Sequence, residues 1–280
     1  MKSVNQEKVS RDMQLEDLKN LNISIGLTGK ENSSNARGHR PRQLLDYYTT
    51  IKSIIKKLST KRTLYIYDFC CGRSYLSFYV NYLLKSDGIE NVEFICVDWN
   101  AALIKRNKET AKTLKMANMK FFHADVMDFE MAYRPDIIYS LHACDIATDI
   151  MIYKGITHNA RFILSVSCCQ HRYRKKIKNA TLAPITKHKA YKERLVDMVV
   201  DSMRAILLEK AGYKVTCFEF TSTTYTDKNI MLKCENVGIN EMNNPILQKQ
   251  YNQLASTFNV EPILNEYLTQ GETKNETIYT

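Results

Sequence analysis

Three carboxylates and one turn carry the chemistry that is legible first. Asp68 lies in the apolar run LYIYDF, and the turn Cys70, Cys71, Gly72 leads past Ser74 into another apolar stretch. Asp98 closes a second run, FICVDWN, and Asp125 follows a third, in FFHADVMDF. An acid before a Gly-containing turn and another acid on the next strand form a phosphate-free relative of the dinucleotide signature. The turn lets backbone approach a ligand, and an acceptor-only carboxylate suits two ribose hydroxyls. In this reading Asp68 takes an ammonium, directly or through water. Asp98 takes the ribose with Trp99 beside it. Asp125 accepts from an adenine amino group while Val126 meets the ring. Cys70, Gly72 and Ser74 line the turn. A ligand with ammonium, ribose and adenine but no phosphate is S-adenosylmethionine (SAM). Only Gly72 is a glycine here, and a Cβ at Cys70 restricts φ, so a turn that no longer binds is the opposing reading.

Two further segments, SLHACDIATD and SVSCCQHRY, end runs of strand character. With strand order 3-2-1-4-5, they set His142, Cys144 and Asp145 beside Cys168, Cys169 and His171, near Cys70 and Cys71. Methyl transfer from a sulfonium is an in-line displacement, so much of the work is alignment. A hydroxyl nucleophile also needs a proton acceptor, which His142 or Asp145 supplies. An amine needs only orientation, from Asp145 or the Ser140 carbonyl; Ser140 also counts among the cofactor-lining residues. His171 joins the catalytic set or orients its loop. The plainer readings are a helix N-cap for Asp145 and a packed, hydrogen-bonded ring for His142. Lys228 and Asn229, on a hairpin tip, reach toward a substrate or simply make the turn. The Cys/His collection lacks a Cys-x-x-Cys knuckle, and small buried thiols explain it without a metal.

The elements that must position these residues alternate. Strands are expected at Leu64–Phe69, Val92–Val97, Met119–His123, Asp136–Leu141 and Arg161–Val166, with helices between most of them. Pro41 fits the first turn of a helix through QLLDYYTTIKSIIKKL, Asn100 caps another, and a long helix from about Tyr191 stops at Gly212. Residues 170–187 read as irregular and basic. Strands at Lys214–Phe220 and Ile230–Cys234 have only a loop between them and so pair antiparallel. The expected fold is α/β and Rossmann-like: a mostly parallel seven-stranded sheet ending in an antiparallel hairpin, with helices on both faces. That architecture is the class I SAM methyltransferase, whereas a dehydrogenase more often adds further βαβ units. The domain reading is a short N-terminal helix and loop over 1–36, the methyltransferase domain over 37–240, a helical appendage over 241–268 and a polar tail over 269–280.

DFCCGRSYLSFY, LHACDIATD, SVSCCQH and YTDKNIMLK resemble a bacterial family of methyltransferase-domain proteins. They are similar also to eukaryotic methyltransferase-like proteins and to tRNA acceptor-stem 2′-O-methyltransferases. The shared pattern falls on His142, Cys144, Thr148 and Asp149, and on Cys168, Cys169 and His171. It covers about residues 37–235, and FNVEPIL extends it toward the C-terminus. Cys70 stands where the family usually has Gly, and Ser167 where Pro is common. The resemblance implies a SAM-dependent methyltransferase and does not fix its substrate; the similar tRNA enzymes make RNA methylation in tRNA processing one setting.

The chain has 280 residues and a net charge of +10. Basic residues cluster over 30–62 and 172–194, a pattern that favours a polyanion. RNA is therefore the expected partner, with Arg42, Arg172 and Arg174 on its binding rim; A/T-rich coding and solvated faces are the plainer account of the same charge. No membrane and no obligate protein partner are expected. Without a signal-like N-terminus the setting reads as cytoplasmic, and the eight cysteines as thiols. The rival functions are methylation of a protein or small molecule, and SAM or RNA binding without catalysis.

Overall fold

A computed structural model describes residues 21–22, 24–26, 36–141, 143, 145–177 and 180–276. The expected helix around Leu15 and Leu18, the loop over 28–35, His142, Cys144, Lys178 and the last residues of the tail lie outside the described residues.

Seven strands form one sheet: β1 Leu64–Phe69, β2 Val92–Asp98, β3 Met119–His123, β4 Ile137–Leu141, β5 Phe162–Val166, β6 Tyr213–Glu219 and β7 Ile230–Asn236, in the order β3-β2-β1-β4-β5-β7-β6. The first five are parallel, and β7 runs antiparallel to both β5 and β6. LYIYDF and FILSV read as nearly unbroken apolar runs because helices cover both faces of the sheet. On one face lie α1 (Ala36–Ile55), α2 (Tyr75–Ser86) and α3 (Ala101–Thr113), and their buried residues form one core cluster. On the other lie α4 (Ile146–Thr157), α7 (Lys189–Lys210), α8 (Pro245–Phe258) and α9 (Ile263–Glu276), which share a second cluster. Between β5 and α7 run α5 (His171–Arg174), a 3-10 turn over Ala180–Leu182 and α6 (Ala183–Thr186). The crossovers leaving β1 and β2 take one face and those leaving β4 and β5 the other. Strand order therefore reverses between β1 and β4, and the crevice beyond their carboxyl ends is where such sheets bind ligands.

Several expectations need correction. Pro41 lies inside α1, which starts at Ala36. The segment expected to be irregular holds three short helical pieces. The expected polar tail is helical as far as Glu276. Asn100 does cap α3, accepting from the Leu103 N–H at 3.1 Å. Past α7, Gly212 takes φ +88°, and a Cβ there would stand 2.7 Å from the Ile239 carbonyl oxygen. The C-terminal helices dock on the domain through buried Tyr251, Leu264 and Leu268. Fully burying one such leucine contributes roughly 1.5–3 kcal/mol.

Candidate active site

The turn after β1 adopts three left-handed residues in alternation: Cys70 at φ 59°, Gly72 at φ 52° and Ser74 at φ 51°. Cys70 and Ser74 thus take the conformation that glycine usually supplies, at about 1–2 kcal/mol of steric cost each. Neighbours hold the turn in place. The Cys71 N–H donates to the Val97 carbonyl at 3.1 Å, and the Ser74 N–H to the Cys71 carbonyl at 2.7 Å. Asn107, 1% exposed on α3, donates to the Gly72 carbonyl at 2.8 Å and to Ser74 Oγ at 3.1 Å. Sequence reading missed Asn107; its signal was a polar residue in the apolar stripe with Ile104 and Ala111. A Cβ built on Gly72 would meet nothing within 4 Å, so the turn has open space above it.

Asp98 braces the same turn. Its Oδ2 accepts from the Gly72 N–H at 2.7 Å and its Oδ1 from the Asn100 N–H at 2.9 Å. Each oxygen keeps a further lone pair, the number needed for two hydroxyls. Trp99 beside it is 75% exposed. Asp68 is buried, and Ser77 Oγ donates to its Oδ2. Ser77 also lies 2.6 Å from the Tyr139 hydroxyl. Burial pushes the Asp68 carboxyl up to about 7, with Ser77 pulling it down and the Asp98 charge adding to the rise. Asp125 is exposed and its Oδ1 accepts from the Met127 N–H at 2.8 Å, while Val126 is buried. Ser140 is buried too, and its hydroxyl has no hydrogen-bond partner.

The carboxyl ends of β4 and β5 meet as expected. The Asp145 N–H donates to the Cys169 carbonyl at 3.2 Å, and Asp145 Oδ1 accepts from the Arg172 N–H at 3.3 Å. Asp145 stands at the N-cap position of α4 but makes no side-chain cap bond, and its φ 49°, ψ −115° is a conformation that side-chain-bearing residues rarely adopt. His171 is exposed at the start of α5. Parallel strands lie about 4.8 Å apart, so β1 and β5, two places away, put this edge about 10 Å from the 70–74 turn.

A buried ionic cluster fixes that edge. Arg204, fully buried on α7, donates to Asp149 at 2.7 Å, to Asp201 at 2.9 Å, to Ser167 Oγ at 3.1 Å and to the Asp145 carbonyl at 3.1 Å. The Tyr173 hydroxyl donates to Asp149 at 2.9 Å and accepts from the Ile263 N–H at 3.1 Å. Thr148 donates to the Ala143 carbonyl at 2.9 Å. Thr148 and Asp149, singled out by resemblance, therefore hold the turn before α4 and join it to α7.

Most residues expected on the substrate rim are held by acids or by backbone, and Arg174 and Lys228 meet carboxylates one turn apart on α7. Arg172 is exposed. Arg174 pairs with Glu193 at 3.0 Å, Lys228 with Asp197 at 2.5 Å and Arg42 with Asp46 at 3.2 Å. Asn229 is 3% exposed, and its side chain donates to the Thr221 carbonyl at 2.9 Å, closing the hairpin rather than facing a substrate. The 30–62 segment is divided as well. Asp46 accepts from Thr221 at 2.7 Å, which brings the Arg42 end of α1 to the site side of the sheet. Lys57, Lys61 and Arg62 lie at the opposite end of the strands, where Lys57 meets Glu235 at 3.4 Å and Arg62 binds the buried Asp136 before β4.

Among the described residues no three His, Cys, Asp or Glu side chains gather to hold a metal ion. The Cys168 and Cys169 sulfurs are 3.4 Å apart. Burial pushes the Cys71 thiol well up, which disfavours the thiolate a metal needs. Among the same residues no helix is long and apolar enough to cross a membrane.

Open space above a left-handed turn, two acids beneath it and an exposed indole beside it fit the ammonium, ribose and adenine of SAM. Asp68, the 70–74 turn, Asp98 and Trp99 would hold it. When bound, SAM supplies an electrophilic methyl group on a cationic sulfur. With its strand order, the sheet has the Rossmann-like fold of class I methyltransferases. More particularly, residues 39–176 match a family model described as a methyltransferase domain. The matched segment contains the 70–74 turn, Asp98 and the Asp145 edge.

Solved structures with similar folds include the CMeT domain of the citrinin polyketide synthase, 14% identical at TM-score 0.45 over 69% of this chain and 51% of that one. This chain thus spans about half the length of that protein. A putative class I SAM-dependent methyltransferase from Listeria monocytogenes is 14% identical at TM-score 0.45 over 89% of this chain and 79% of that one. A SAM-dependent methyltransferase from Aquifex aeolicus is 15% identical at TM-score 0.38 over 66% of this chain and 89% of that one. No curated protein matches the sequence significantly.

Proposed function

We propose that this protein transfers the methyl group of SAM to RNA, with tRNA the first candidate. The carrying observation is the thinly covered excursion between β5 and α7. Arg172, Lys175, Lys176 and Lys187 are exposed there, together with Ile185 at 43%, and Lys189 and Tyr191, the latter at 58%, are exposed in the first turn of α7. Basic side chains interleaved with exposed apolar and aromatic ones suit phosphates and stacked bases. The excursion leaves the sheet at the edge that carries Asp145, so a strand bound there lies beside the transfer site. Asp145, free to accept through its second oxygen, takes the proton of a ribose hydroxyl or orients an amine; His171 stands at the same edge. His142, outside the described residues, belongs to this proposal through its place after β4 in the sequence and through resemblance.

Mass spectrometry of RNA nucleosides from cells with and without the gene tests the reading, with Asp145→Asn as a third strain. One methylated nucleoside should disappear in the deletion and fall sharply in the variant. An unchanged nucleoside profile, together with no RNA retention at low salt, would overturn it.

A further inference from the structure

Resting on the RNA reading, we propose that the open edge of the sheet, between α3 and β3, is a second RNA contact that holds the sugar–phosphate backbone of a single strand running away from the methylated nucleotide. A groove of about 610 Å³ lies there, between the second half of α3 with its following loop and the length of β3. Its floor is apolar, with Met116, Met119 and Phe121 buried and Phe122 39% exposed. Its rim is Lys108, Lys112, Lys115 and Lys120, all exposed. Lys120 pairs with Glu93 at 2.6 Å. Among the described residues no carboxylate pairs with Lys108, Lys112 or Lys115.

Charge complementarity sets the occupant. Lys108 and Lys112 stand four residues apart on one helix face, about 6 Å along its axis. Like charges at that spacing destabilise a helix, and Lys115 extends the row. A row of anions relieves the repulsion, and a nucleic-acid strand supplies one. The volume matches a site for one drug-sized molecule, so it takes a single strand and not a duplex. The apolar floor suits sugars and base faces, which a purely electrostatic patch does not need.

Topology connects this groove to the active site. Phe122 precedes His123, whose Nε2 lies 2.9 Å from the Trp99 carbonyl oxygen. Trp99 follows Asp98 directly. A strand leaving the site thus meets two exposed aromatic side chains, Trp99 and Phe122, before its phosphates reach the lysines. β3 is the terminal strand of the sheet, so this edge carries no further strand.

The test uses the full-length protein and a short labelled oligouridylate, titrated over a range of salt. The triple variant Lys108→Gln, Lys112→Gln, Lys115→Gln is compared with Lys56→Gln, Lys57→Gln, Lys61→Gln, which removes equal charge ahead of β1, at the end of the strands away from the site. Loss of three phosphate contacts should lower the log–log salt slope by about 2. Affinity at low salt should fall tenfold or more in the groove variant and little in the control. SAM-induced change in tryptophan emission, unaltered in both, shows that each is folded. If both variants lose affinity equally, or neither does, the groove proposal is wrong and the RNA reading stands. If the wild type itself shows no salt-sensitive RNA binding, the RNA reading fails and the groove proposal falls with it.

Discussion

Replacing Asp68 by Asn should remove a pH dependence that burial creates. The Asp68 carboxyl is 4% exposed and rises from 3.8 to about 7, chiefly through desolvation. A rise of about three pH units is worth about 4 kcal/mol. Between pH 4 and 7 the folded carboxyl keeps a proton that the unfolded chain releases. The folded state therefore binds more protons, and stability falls as pH rises through that window. Ionised Asp68 is the costly form, so the contribution should level off above pH 7. Asn at this position still accepts from Ser77 through its amide oxygen and does not titrate. Urea unfolding of both proteins from pH 5 to pH 8 should show the wild type losing stability relative to the variant, by as much as about 1.4 kcal/mol per pH unit below pH 7. Affinity for SAM should move the other way. An ammonium is held by the ionised acid, so wild-type affinity should weaken by up to about tenfold per pH unit below 7, and the variant should lack that slope. Parallel stability curves for the two proteins from pH 5 to 8 would refute the argument, because a buried carboxyl with an elevated pKa cannot give them.

Other perturbations address other parts of the site. Arg204→Ala strands Asp149 and Asp201 and should cost about 3–5 kcal/mol in denaturant unfolding; an unchanged midpoint would show that the ionic cluster does not hold the Asp145 edge. Trp99 is the single tryptophan of the chain and is 75% exposed, so its emission should shift to the blue when SAM is added; a spectrum insensitive to SAM would place the adenosyl group elsewhere. Gly155→Ala would put a Cβ 2.7 Å from Ile163 Cδ1 and 3.1 Å from Ile138 Cγ2. It should lower stability by about 1–3 kcal/mol through overpacking, and Ile163→Val in the same chain should recover part of that loss.

The strands were legible because a parallel sheet covered on both faces demands unbroken apolar runs. LYIYDF, VEFICVD and MKFFH could be bounded from sequence to within a residue of β1, β2 and β3. The acids at strand ends were legible for a related reason: an ionisable group closing an apolar run stands where the strand reaches solvent or a ligand. Asn100 was readable as a cap because capping is local. What could not be read is what depends on residues far apart in the chain. Asp149 stood out only as part of a shared pattern; its role as the buried partner of Arg204, on another helix, depends on the fold. Asn229 looked available on its hairpin until its side chain met the Thr221 carbonyl. The basic segment over 30–62 looked like one patch, but α1 carries Arg42 and Lys57 to opposite ends of the strands. Cys70 looked unfit for a glycine's place, yet Val97, Asp98 and Asn107 together hold the turn in the left-handed form. Sequence alone determined where the strands lie and the class of ligand their ends suit, because periodicity and strand ends are local properties. Tertiary structure alone decided which polar side chains face the site and which brace it, since a charge can serve a ligand only where no distant partner has already claimed it.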